Sequence, residues 1–142
     1  MRKIEVDHVT LGDTTYPVYC DLRVLEQIQE EYESITAFER ALLGQKIKYD
    51  EDGNPERLED GSIVKEQTEA SVHAMVKGLY LMIREGQRIE GEEELITEDE
   101  VYAMQLNTLL VKMVVHGLFM KCFTVKKKEE DQVTPRKKKT QN

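Results

Sequence analysis

The chain is poor in the residues that most secreted domains and enzymes rely on. It has two cysteines in 142 residues, so no disulfide framework is available. Cys20 and Cys122 each lie in an apolar pattern without metal-type neighbours, which reads as two small buried hydrophobes in a reducing compartment. Its three histidines, His8, His73 and His116, fall on separate stretches with no second ligand three or four residues away, and this spacing does not make a zinc site. Leu43-Gly44-Gln45-Lys46 has a glycine and a lysine without the spacing of a phosphate-binding loop. Ser34, Ser62 and Ser71 lack the flanking glycines of a nucleophile elbow. The longest apolar run, 109–120, is about twelve residues long and is interrupted by Lys112 and His116. That is short of the roughly 20 needed to span a bilayer. Met1-Arg2-Lys3 leads into alternation rather than an apolar stretch, so neither a signal peptide nor a membrane span is expected.

Charge is plentiful and unevenly placed. The net charge is −8, yet residues 125–142 hold seven Lys or Arg against three acids, which is +4 and leaves −12 on residues 1–124. The division is therefore one domain, 1–124, and a basic tail, 125–142, expected to be disordered because it has no periodic apolar face. An acidic body repels phosphate, and the tail's Lys126, Lys127, Lys128, Arg136, Lys137, Lys138 and Lys139 lack interleaved aromatics for base stacking. Nucleic acid is accordingly an unfavoured partner. The paired acids at 92–94 and 129–131 read as solvated charge, since a carboxylate does acid–base work only when desolvated and positioned. No catalytic, cofactor-binding or metal-binding set emerges, and a non-enzyme is expected.

In chain order, Ile4 and Val6 alternate with Lys3, Glu5 and Asp7, then Gly12-Asp13 marks a turn and 14–19 returns, which predicts a β-hairpin. Pro17 cannot donate to a ladder, so its strand belongs at an edge. Asp21 caps a predicted helix through Tyr32, with Leu22, Leu25, Ile28, Gln29 and Tyr32 on one face. Thr36 and Glu39 suit a capping box for a short helix carrying Phe38, Leu42 and Leu43 and ended by Gly44. The acidic run Asp50–Asn54 lacks the alternating ligands of a calcium loop, and 45–64 reads as an exposed connection or a loose hairpin. A helix follows from Lys65 to Glu85, ended by Gly86. Its small residues Ala70, Ala74 and Gly78 give a packing reason for the interior glycine.

The last helix is predicted as one element over 97–122, and its periodicity makes it the expected centre of the fold. It opens on the box Thr97-Glu98-Asp99-Glu100 with Ile96 and Val101 as a staple. Its apolar residues cover so much of the circumference that only Gln105, Lys112 and His116 are expected to face water. The short link after Gly86 predicts antiparallel packing of the two long helices. The surplus apolar face makes Val111, Val114, Val115, Leu118 and Phe119 the candidate partner-binding residues. The fold class is α+β: an N-terminal β-hairpin followed by a mainly helical bundle of about four helices.

The segment 16–44, with Asp21, Leu22, Leu25, Ile28, Tyr32, Ser34, Ile35 and Phe38 in matching places, resembles the tail assembly chaperones of long-tailed bacteriophages and prophages. The later order, a helix to Gly86 and then Leu95-Ile96-Thr97-Glu98-Asp99-Glu100-Val101 opening the last helix, is similar too. The resemblance implies a non-enzymatic siphovirus virion assembly factor in the host cytoplasm. Such a factor binds the tape measure protein, helps recruit the tail tube protein and is missing from the finished virion. Self-association stays open. The alternative is a small phage-encoded regulator or inhibitor that binds a host protein or nucleic acid through the basic tail.

Overall fold

A computed structural model describes residues 4–124. Over these residues the fold is α+β, a β-hairpin followed by five helices, with a second small antiparallel pair inserted between the helices. β1 (Asp7–Leu11) and β2 (Thr14–Val18) pair from Leu11↔Thr14 to Asp7↔Val18. Gly12 and Asp13 make the two-residue turn, and Gly12 takes a left-handed φ of 67° that suits glycine there.

α1 (Leu22–Tyr32) begins as expected at Asp21, whose carboxylate accepts from the Val24 N–H at 3.1 Å. Its buried face is Val24, Leu25 and Ile28, whereas Leu22 is exposed. α2 (Ile35–Leu43) is capped by Ser34, whose Oγ accepts from the Ala37 N–H at 2.9 Å, and not by Thr36. Glu39, freed from that role, meets His116 on another helix at 3.1 Å.

β3 (Gln45–Ile47) pairs with β4 (Lys65–Gln67), and the bridges Tyr49↔Pro55 and Arg57↔Ile63 extend the pairing into a small arm. Asp50 Oδ1 accepts from the Asp52 and Asn54 N–H groups, so this acidic run closes its own turn.

α3 (Val72–Glu90) starts at the Ser71 cap, later than the expected Lys65, and ends at Gly91 rather than Gly86. Residues 65–67 pair in a strand instead. Gly86 lies inside the helix because β2 crosses there: a Cβ on Gly86 would lie 2.6 Å from Pro17 C and Val18 N. α3 packs against β2, α1 and α2 and against the two helices that follow, so it, and not 97–122, is the central element. Ala74, Leu79, Met82 and Ile83 are almost wholly buried in it.

The predicted helix 97–122 is two helices. α4 (Glu98–Tyr102) has the expected capping box of Thr97 and Glu100, and the staple residues Ile96 and Val101 are both buried. α5 (Thr108–Lys121) starts afresh at Asn107, whose Oδ1 accepts from Leu109 N at 2.8 Å and Leu110 N at 3.3 Å. An Asn that binds the next turn's amides offers the backbone a helix start in place of a continued ladder. Lys77 Nζ donates to Glu98 at 3.0 Å and His73 meets Tyr102 Oη at 3.3 Å, so α4 runs opposite to α3. α5 then returns alongside α3 in the same direction, with Val115 against Gly78 and its end near the β2–α1 junction. The expected antiparallel pair of long helices is thus corrected by a reversal at 103–107.

Candidate functional site

The residues expected to face a partner are built into the chain's own core. Val111, Val115, Leu118 and Phe119 are buried and Val114 is half-buried. The reason is the reversal at Asn107, which turns the 111/115/118 stripe onto α3 and α2. Phe38 of α2 meets Phe119 with ring centroids 5.5 Å apart, and Val115 fills the notch at Gly78.

The face that α5 turns to solvent is a different apolar one: Leu109 (58% exposed), Leu110, Met113 (64% exposed) and Met120, with Phe123 just beyond the helix. Gly117 lies in the middle of this face with open space where a Cβ would be. Lys112 and His116, expected to point to water, are half-buried, and His116 is tied to Glu39. Beside the face, a groove of about 340 Å³ runs between α5 and the hairpin, lined on one side by Met113, Val114 and Leu118 and on the other by Val9 and Val18. Lys121 Nζ closes its end by donating to Asp7 at 2.9 Å. Exposed methionines are adaptable contacts, and an apolar strip rimmed by charge is the form a helix-binding surface takes.

A second cluster lies at the β2–α1 junction. Cys20 and Cys122 are free, half-buried thiols that both pack against the core, and a thiol–thiol hydrogen bond is the first cause of the pKa shift in each. The bond from Cys20 lowers the Cys122 pKa, while Cys20 is raised by the same bond and by burial. Next to Cys20, Asp21 is raised to about 6, first by burial and then by a hydrogen bond to Glu85. Glu85 is buried and lowered, first by Arg88, whose Nε and Nη2 donate to its carboxylate at 2.9 and 2.8 Å.

Each histidine meets one glutamate from another element: His8 with Glu90 at 2.9 Å, His73 with Glu31 at 3.1 Å and His116 with Glu39. Among the described residues no group of three or more His, Cys, Asp or Glu converges as a metal site, and no helix is long and apolar enough to cross a membrane. The basic-tail residues Lys126, Lys127, Lys128, Arg136, Lys137, Lys138 and Lys139 lie outside the described residues. No family model, curated protein or solved structure matches this chain.

Proposed function

We propose that this chain is a non-enzymatic tail assembly chaperone of a long-tailed phage or prophage, acting in the host cytoplasm. It holds the tape measure protein soluble and helps bring tail tube subunits to it. The observation that carries the reading is the outward apolar face of α5, with Leu109, Leu110, Met113 and Met120 exposed and uncovered by any other of the described residues. An amphipathic helix of the tape measure protein would lay its apolar stripe on that face. Gly117 at its centre lets the two backbones approach closely. The −12 on residues 1–124 supplies the repulsion that keeps such a complex from clumping. The resemblance of 16–44 to the tail assembly chaperones supports the same reading.

The test is co-expression with the product of the neighbouring tape measure gene. The wild-type chain should bring that product into the soluble fraction and co-purify with it. A Leu109→Glu/Met113→Glu variant should fold normally and lose the complex. A tape measure product that stays insoluble beside the wild-type chain overturns the proposal.

A further inference from the structure

A different surface, independent of the α5 face, lies where the arm of residues 45–67 joins α2. The base of the arm is tied to that helix. Thr68 donates its N–H to Gly44 O at 2.6 Å, Ser71 donates its N–H to Ala41 O at 2.8 Å, and the Gln67 side-chain amide donates to Gly44 O at 2.9 Å. Between the two elements opens a cleft of about 560 Å³, with Ala37, Arg40 and Ala41 on the α2 wall and the unbroken run 45–49 on the other. Successive residues of a strand point to opposite faces, so a cleft lined by all five follows the edge of the strand. That edge is free. Lys48 donates its N–H to Val64 O at 3.0 Å and its carbonyl accepts from the Glu56 N–H at 2.8 Å, so its backbone groups are spent on the arm itself. The direction of these groups alternates along an antiparallel strand, which turns the N–H and C=O of Ile47 and Tyr49 away from the arm. Among the described residues no strand pairs with β3 on that side. The lining is also basic: Arg40, Lys46 and Lys48 against the single acid Glu66, in a body that is otherwise strongly negative. Lys46 and Lys48 are offset by Glu66 at 3.7 Å and Glu56 at 3.6 Å, whereas half-buried Arg40 has no ion pair among the described residues.

We propose that the free edge of β3 is a docking site for an acidic, extended segment of another protein, which adds a strand to the arm and sets its carboxylates on Arg40, Lys46 and Lys48. Backbone bonds to Ile47 and Tyr49 give affinity that is indifferent to sequence, and the cations select acidic side chains. Arg40 carries most of that selection, because its guanidinium is not shared with a carboxylate of the described residues and can hold an incoming one through two donors. A second copy of the chain is the poorer occupant. Two such edges laid antiparallel bring Lys46 and Lys48 of one against those of the other, the repulsion by which edge lysines keep strands apart. Because the base of the arm is bonded to α2, both walls of the cleft stand in place before a ligand arrives, and little is lost in ordering them.

The experiment titrates the full chain into short, end-blocked, fluorescein-labelled peptides and follows anisotropy. One peptide alternates Glu and Val, a second alternates Lys and Val, and a third is the Glu–Val peptide with every amide N-methylated. The Glu–Val peptide should bind saturably, and the other two at least about tenfold more weakly, one for want of carboxylates and one for want of backbone donors. Arg40→Gln should weaken the Glu–Val peptide by about tenfold with the thermal midpoint unchanged, and Lys46→Gln/Lys48→Gln should weaken it too. Amide exchange read by NMR should slow by at least about tenfold at Ile47 and Tyr49 on binding, with little change at Lys48, which is already bonded. No saturable binding, equal affinity for the Glu and Lys peptides, or an affinity untouched by Arg40→Gln would each overturn the proposal. A methylated peptide that binds as well as its parent, or a bound peptide that leaves the Ile47 and Tyr49 amides exchanging freely, would overturn it as well.

Discussion

Gly78 of α3 leaves so little room before Val115 of α5 that a Cβ there would lie 2.6 Å from Val115 Cγ1 and 3.0 Å from Phe38 Cζ. The two helices and α2 therefore meet at a point where one hydrogen is the largest side chain that fits. Gly78→Ala should cost about 1–3 kcal/mol through overpacking, despite the better helix propensity of alanine. Gly86→Ala should cost at least as much, since its neighbours are the Pro17 and Val18 backbone, which cannot rotate away. Gly117→Ala, with nothing within 4 Å, should stabilise by up to about 1 kcal/mol. Urea unfolding of the three variants separates them by sign.

The two faces of α5 should respond oppositely to substitution. Leu118→Ala opens a buried site and should destabilise by about 2–5 kcal/mol. Met113→Glu changes a largely exposed side chain and should leave stability within about 0.5 kcal/mol while weakening partner capture. Thermal midpoints and pull-downs on the same preparations check both.

Asn107→Ala removes the acceptor for two amides at the start of α5 and should cost about 1 kcal/mol. Asn107→Ser or Asn107→Asp should recover most of it, as read by denaturant midpoint.

Asp21 gives the protein a pH dependence of definite sign. Its folded pKa of about 6 lies above the ordinary 3.8, so the folded state holds a proton that the unfolded state has released. The stabilisation is complete below pH 3.8 and is lost as pH rises through about 6. Because Asp21 is partly solvent-exposed, we expect the loss to be about 1 kcal/mol. Glu85, lowered by Arg88, acts in the opposite sense: its contribution is present above its ordinary 4.5 and lost as pH falls below that. Asp21→Asn keeps a capping oxygen and removes the titration. Its midpoint should therefore change less than the wild type's between pH 5 and 7.

Local chemistry was readable in the sequence and long-range phase was not. Gly12-Asp13, the Asp21 cap, the Gly44 terminator and the Thr97–Glu100 box each act within four residues, and all stand where the sequence placed them. Ser34 and Thr36 are both able caps, and the choice fell to Ser34 with Glu39 turned toward His116. The break at 103–107 was hidden because Val101, Met104, Thr108 and Val111 keep helical spacing across it. With nearly every residue of 109–120 apolar, periodicity does not say which side meets α3, and the stripe expected to face a partner is the one that packs inward.

α3 completes the burial of the apolar residues that come before it, and this bears on synthesis. Val18, Val24, Ile28, Phe38 and Leu42 precede Val72, so a ribosome that has delivered the first 43 residues has released a hairpin and two helices with no lid. The arm of residues 45–67 lengthens that wait. During it the nascent chain offers its own grease to whatever is near, and it needs shelter until its central helix emerges.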